Sequence, residues 1–341
     1  MAAERPRLVP GKLRPGDRIG IISPSAPVGA YPRRVARGLE NLRALGFEPV
    51  IGRHALSVRG HLAGSVLERL DDLHSMFADR SVKAIVATTG GFNANQLLEA
   101  IDWDLIADNP KIFLGYSDIT VLLVAIWTRT GLCTVVGPSL LPQFGEIDGL
   151  HPYTAAWFRR TLMSAAPVQA MSPARESIVE RLYWDAEDDR PRQRQPHPGP
   201  RVLRAGTAHG PLIAANIGTM LTLAGTYLWP RFDGALLFLE EDEVESPGTI
   251  DRMLTHLRQI GVFDRIAGLA FGRFHPDVGL NASALDEIVF RAVQGSRFPI
   301  VADLDFGHVD PMFLLPLGVR AEIDARDEAR VSLLEAAVSE R

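Results

Sequence analysis

In the stretch IFLGYSDITVLL (112–123) an apolar run ends at Gly115, a turn carries Ser117, and a second apolar run follows. That order predicts a strand, a sharp turn and a helix. A serine at such a turn projects its hydroxyl out of the sheet. The helix N-terminus behind it offers free N–H groups and a positive dipole end, which stabilise a developing oxyanion. The arrangement is similar to a nucleophile elbow, with Ile119 where the G-x-S-x-G pattern has its second glycine. A simple helix cap by Ser117 or Asp118 is the plainer role open to the same residues.

Four further places set polar groups directly after a predicted strand: 89–95, 240–243, His275 and 308–310. Open parallel sheets bind ligands outside the carboxyl ends of their strands, so chemistry is expected there. Gly90 and Gly91 let a backbone approach a ligand and present N–H groups, as half of an oxyanion hole or a cradle for a carboxylate; a tight turn is the alternative. They form neither G-x-G-x-x-G nor a Walker motif, so no nucleotide cofactor is expected. Glu240 and Glu241 close the apolar run ALLFLE, and strand alternation points them to opposite faces, so one of the two can reach a histidine. Of the nine histidines, His275 and His308 both follow apolar runs, and spacing alone does not separate them. A serine hydrolase needs one such base within ~3 Å of the hydroxyl, and an acid to orient it. No H-E-x-x-H or H-x-H occurs, so the site is expected to hold no metal.

The elements that must position these groups alternate between strand and helix. Strands are predicted at 18–23, 48–52, 84–88, 112–115 and 133–137. Helices are predicted at 34–45, from the capping box Ser65–Glu68 to about Phe77, from about Asn95, and at 120–130. This is the pattern of a doubly wound, mostly parallel α/β domain over 1–165. Residues 166–209 read as a linker or substrate loop, and 185–201, rich in Pro and Arg, as solvated chain. A second, β-rich α/β domain is expected over 210–341, with strands at 210–216, 235–240, 266–272 and 300–306 and alternating segments at 314–323 and 330–334. A helix from Ser246-Pro247 buries Ile250, Met253, Leu254, Leu257 and Ile260 and stops at Gly261, and another spans 282–293.

The chain has 341 residues, 46% apolar and 23% charged, with a net charge of −5. That length suggests about two domains of ~150 residues, and the acidic balance argues against nucleic acid as a partner. The lone Cys133 can form no disulfide within the chain, which suits a reducing compartment. The start, MAAERPRLVPGKLRPGD, has no apolar core of a secretory signal, and no run is long enough to span a membrane, so a cytoplasmic location is expected.

Seven stretches together resemble the LD-carboxypeptidase family, in particular its branch that includes the microcin C immunity protein. They are KLRPGDRIGIISPSAP (12–27), TTGGFNANQLL (88–98), NPKIFLGYSDIT (109–120), GPSLLPQFGE (137–146), LLFLEEDE (236–243), IDRMLTHLRQIGVFDRIAGLAFGRF (250–274) and PIVADLDFGHVDPMFLLPLGVRAEID (299–324). They keep the family order and span nearly the whole chain. The resemblance implies a Ser-Glu-His triad split between two domains: Ser117 from the GYSD motif, His308 from G-H-x-x-P, and Glu240 as the first acid after its strand, with Glu241 the alternative. It implies oxyanion donors at the backbone N–H groups of Gly91 and Asp118 beside Gly90, and a substrate-side asparagine at Asn216, where Ala214 and Ala215 replace the two glycines of the family's G-G-N motif.

The same resemblance implies a homodimer and two substrate classes: a murein tetrapeptide cut before its terminal D-alanine, or a peptidyl- or aminoacyl-nucleotide cut at its amide bond. The immunity branch stacks an aromatic ring on a nucleobase, and Trp184 and Tyr183 are the candidates for that role. Arg190, Arg192 and Arg194 could pair a carboxylate or phosphate, although a solvated loop accounts for them as well. A binding protein on the same scaffold is a third possibility, opposed by the presence of all three triad residues.

Overall fold

Two sheets run through the protein in the computed structural model, which describes residues 6–169 and 172–340. Residues 1–5, 170, 171 and 341 lie outside the described residues.

The first half alternates strictly: β1 (Arg18–Ile22), α1 (Pro32–Ala44), β2 (Glu48–Ile51), α2 (Val66–Ala78), β3 (Val82–Ala87), α3 (Trp103–Asp108), β4 (Ile112–Gly115), α4 (Thr120–Thr130), β5 (Val135–Val136) and α5 (Pro152–Leu162). The capping box of α2 is present: Ser65 Oγ accepts from the Glu68 N–H at 3.2 Å and Glu68 accepts from the Ser65 N–H at 2.7 Å. The helix expected from Asn95 is instead a 3-10 turn (Ala94–Ala100) followed by the short α3. The break falls at Asp102, whose carboxylate accepts from the Leu105 N–H at 2.9 Å and so caps a new helix.

A two-strand hairpin, β6 (Glu176–Ser177) with β7 (Gln195–Pro196), leads into β8 (Arg201–Arg204), β9 (Thr207–Asn216), α6 (Ile217–Leu221), β10 (Leu236–Glu240), α7 (Pro247–Gln259), β11 (Gly268–Gly272), α8 (Ala282–Ala292), β12 (Ile300–Leu304), β13 (Leu315–Pro316), β14 (Arg320–Asp324) and β15 (Arg330–Leu333). The first sheet has the order β13-β5-β4-β3-β1-β2 and the second β15-β14-β9-β10-β11-β12-β8. Pairing is parallel along β5-β4-β3-β1-β2 and along β9-β10-β11-β12, while β13, β8, β14 and β15 pair antiparallel. Helices connect the parallel strands, as parallel crossovers require.

Strands of the second sheet are apolar on both faces because both faces are covered. Leu212, Ala214, Leu236 and Phe238 join the core that they share with the first sheet, while Ile213, Ala215, Leu237 and Leu239 face α7 and α8. In α4, every residue from Thr120 to Ile126 is buried. One core therefore crosses the boundary expected near residue 210, and β13 returns to pair with β5 of the first sheet. In α7, Ile250, Leu254 and Leu257 are buried as expected, but Ile260 is 38% exposed because it lies past the last helical residue, at the C-cap.

Candidate active site

The carboxyl ends of the two parallel arrays meet around a single cleft of about 700 Å³. Gly90 and Gly91 line it from beyond β3, Tyr116 and Ser117 from beyond β4, Asp242 and Glu243 from beyond β10, and His308 and Asp310 from beyond β12. Four of the five expected places thus line the same cleft. The fifth, His275, does not line the cleft. Its Nε2 donates to the Val179 carbonyl at 2.7 Å and its Nδ1 accepts from the Asp277 N–H at 3.1 Å, so both ring nitrogens are engaged.

Ser117 has φ of +60°, a left-handed backbone that a non-glycine residue adopts only when its surroundings hold it there. The turn directs the chain from β4 into a 3-10 turn (Ser117–Ile119) and then α4. Gly90 packs against it so closely that a Cβ there would stand 2.8 Å from both Cβ and Oγ of Ser117. Gly91, at φ +142°, brings its backbone alongside, and among the described residues its N–H has no acceptor. The Asp118 side chain turns inward: its Oδ2 accepts from Ser25 Oγ at 2.5 Å and from the Ala94 N–H at 2.8 Å. Burial raises the Asp118 pKa, against the lowering pull of those donors. These bonds tie the ends of β1, β3 and β4 into one platform under Ser117.

Opposite, Glu240 and Glu241 face different ways, as neighbours at a strand end must. Glu240 Oε2 meets His308 Nδ1 at 2.5 Å. Glu241 accepts from Asn216 Nδ2 at 2.6 Å, from the Asp242 N–H at 3.0 Å and from the Gly218 N–H at 2.8 Å. Burial, and then the charge of Glu240, push the Glu241 pKa up to about 7. Asn216, for its part, caps α6 through the Thr219 N–H at 3.0 Å, and it is not among the residues lining the cleft. His308 Nε2 has Asp242 Oδ2 at 3.4 Å, and the Tyr116 ring packs on the imidazole with centroids 5.0 Å apart. Burial pulls the imidazole pKa down. Glu240, helped by Asp242 and Glu243, outweighs that and lifts it to about 10.

The Arg/Pro-rich segment is exposed over most of its length, as expected, and is a lobe docked on the body through a few charged residues. Asp185 accepts from the N–H groups of Arg33 and Arg34, both at 2.8 Å, and so caps α1 from 151 residues away in sequence. Asp188 pairs with Arg34 and Arg37, Arg192 with Glu146 and Asp310, and Arg194 with Asp148 and Glu176. Arg190 stays exposed on Glu180. The lobe lays Arg181, Leu182, Tyr183 and Trp184 along the cleft. Trp184 meets the Tyr31 ring edge-on at 5.3 Å and the Arg34 guanidinium at 5.2 Å; Tyr183 is largely exposed.

Tyr31, Arg34, Gln143 and Glu146 also line the cleft, and reading the sequence did not select them. Gln143 lay within reach of the strand-end rule, because it follows β5. The three His/Asp ligand atoms near enough to share a metal among the described residues belong to His54, Asp71 and Asp72, none of which lines the cleft.

Residues 19–137 match the family model of the LD-carboxypeptidase N-terminal domain, and residues 209–323 that of its C-terminal domain. The microcin C7 self-immunity protein MccF of Escherichia coli is 31% identical over 333 residues, covering 96% of each chain. The murein tetrapeptide carboxypeptidase of Pseudomonas aeruginosa is 27% identical over 312 residues, covering 90% of this chain and 93% of that one. Among solved structures, an MccF-like protein from Bacillus anthracis superposes with a TM-score of 0.90 at 34% identity, covering 96% of this chain and 99% of its own. MccF in complex with glutamyl sulfamoyl guanosine superposes with a TM-score of 0.88 at 28% identity, covering 97% and 100%. This chain belongs to the LD-carboxypeptidase family and is a serine peptidase of that family.

Proposed function

We propose that the protein hydrolyses the amide bond of an aminoacyl- or peptidyl-nucleotide, with Ser117 as nucleophile, His308 as general base and Glu240 as the acid that orients it. The observation that carries this reading is the His308–Glu240 contact of 2.5 Å, set across one cleft from a serine held at positive φ. Glu240 fixes the tautomer by accepting a hydrogen bond from Nδ1–H, which leaves Nε2 free as the basic nitrogen. His308 removes the Ser117 proton as the hydroxyl attacks the carbonyl, and the carboxylate that raises the imidazole pKa stabilises the imidazolium so formed. The oxyanion is received by the N–H groups of Gly91 and Asp118, each worth about 3–4 kcal/mol in related chemistry. The imidazolium then protonates the leaving nitrogen, and water releases the acyl group by the same steps in reverse.

Trp184 supports the nucleotide class, because its ring lies half-buried on the cleft wall, braced by Tyr31 and Arg34. Arg181 favours the second reading, a murein tetrapeptide. It stands exposed on the rim, 3.1 Å from Glu243, where it could take a terminal carboxylate. We read the molecule further as a cytoplasmic homodimer. No helix among the described residues is long and apolar enough to cross a membrane, and sedimentation of the purified protein tests the dimer.

The test incubates wild type and Ser117→Ala with aspartyl sulfamoyl adenosine and with a murein L,D-tetrapeptide, products being read by mass spectrometry. Release of aspartate by wild type alone supports the nucleotide reading. Release of D-alanine alone moves the assignment to the tetrapeptide. Cleavage of neither overturns both substrates.

A further inference from the structure

Gln143 sits in the turn of Leu140–Phe144 after β5, buried, between the two halves of the active site. Its Oε1 accepts from the Ser139 N–H at 2.9 Å, so the carboxamide cannot be flipped without setting donor against donor. Its Nε2 therefore points outward with two protons and two acceptors: the Tyr116 hydroxyl at 3.1 Å and Asp310 Oδ1 at 3.3 Å. Tyr116 directly precedes Ser117 and carries its ring against the His308 imidazole. Asp310 lies two residues past His308, and Arg192 of the docked lobe holds its other oxygen. The lobe also pairs with the Asp310 backbone, where its carbonyl accepts from the Ile178 N–H at 2.8 Å.

We propose that Gln143, with Arg192 as its second hold on Asp310, is a positioning residue that sets the nucleophile turn against the base. The proposal rests on the serine-hydrolase reading above. Gln143 touches neither reacting atom. It fixes the ring that backs the imidazole and the loop that carries it, and the charged lobe becomes part of the catalytic frame rather than a tether between domains. A shift of about 1 Å between attacking and accepting groups costs on the order of 10²-fold in rate, while a substrate bound elsewhere in the cleft is little affected.

The experiment compares Gln143→Met, Tyr116→Phe, Arg192→Met and the Gln143→Met/Tyr116→Phe double variant. Aspartyl sulfamoyl adenosine is the substrate, a small fluorophosphonate is the probe of Ser117, and thermal melts report folding. The expected result for Gln143→Met is a kcat lower by about 10²-fold, KM nearly unchanged, and fluorophosphonate labelling slowed by the same factor. The double variant should be no slower than Gln143→Met alone, since both act through one bond. A folded Gln143→Met with wild-type kcat and only a lowered melting point overturns the proposal, as do losses that multiply in the double variant. If Gln143→Met does not fold, wild-type kcat in both Tyr116→Phe and Arg192→Met overturns it equally. A Ser117→Ala enzyme that still turns over sinks the underlying reading. A dead Ser117→Ala beside an unimpaired Gln143→Met sinks the clamp alone.

Discussion

Glu240 Oε2 and His308 Nδ1 meet at 2.5 Å although they end different strands, β10 and β12, with β11 between them. Gly307 makes the approach possible: it holds φ +96°, and a Cβ there would press on Glu240 Oε2 at 2.7 Å. Glu241, one residue on, is spent on Asn216 and the start of α6. Glu240→Gln should therefore lower kcat by about 10³-fold or more, the size of effect seen when a triad acid loses its charge. Glu241→Gln should cost far less. Steady-state kinetics of the two variants side by side separates them, and equal losses would contradict the assignment.

The pH dependence follows from the same contact. A free imidazole has a pKa of about 6.5, and the folded protein raises that of His308 to about 10. Neutral base is thus the minority form near neutrality, and kcat/KM should climb with pH along a limb that lies above about 7. Asp242→Asn removes one of the charges facing the ring and should move the limb to lower pH. For stability the sign is that of a group protonated more readily when folded. Its contribution is complete below about pH 6.5 and fades as pH rises through about 10. Rate profiles and thermal melts over that range check both statements.

Gly90→Ala should abolish most activity and leave the fold intact, because the added methyl would meet Ser117 Cβ and Oγ at 2.8 Å. The expected fall in kcat is about 10²-fold, the scale of a misplaced reacting group. Fluorophosphonate labelling, with circular dichroism on the same sample, measures it.

Asp185→Ala should free the lobe from α1, since two bonds from the Arg33 and Arg34 N–H groups are lost together. Hydrogen bonds to a charged group contribute roughly 1.5–3 kcal/mol each. KM should rise as residues 181–184 leave the cleft, and trypsin should cut after Arg181 or Arg194 sooner than in wild type. Unchanged proteolysis would show that the other ion pairs hold the lobe unaided.

Arg273 and Asp305 form an almost fully buried pair at 2.9 Å, and Tyr153 and the Ala174 N–H also bind Asp305, each at 2.7 Å. Breaking such a pair from one side costs about 3–5 kcal/mol. Asp305→Ala should lose that much in urea unfolding, and Arg273→Met a comparable amount.

The strand ends were readable because burial writes itself as apolar runs: IFLG before Ser117 and ALLFLE before Glu240 announce both the elements and their termini. The capping box of α2 was readable because its partners are three residues apart. Choosing between His275 and His308 was beyond periodicity. The first is decided by the Val179 carbonyl, 96 residues away in sequence, and the second by Glu240, 68 away. Motif resemblance supplied that choice where spacing did not. That the exposed lobe is also anchored was not readable, for the same reason. Its order comes from charge pairs with Arg34, Glu146 and Asp310, distant partners that no local pattern discloses. Asn216, expected beside substrate, also bonds Glu241, a contact set by the parallel register of β9 and β10 and invisible in local spacing.

The most direct measurement is peptide mapping of the protein after reaction with a fluorophosphonate. The account predicts a single adduct, on the peptide containing Ser117, absent from Ser117→Ala and formed much more slowly in His308→Ala. An adduct on another residue, or amide hydrolysis that survives Ser117→Ala, would contradict it.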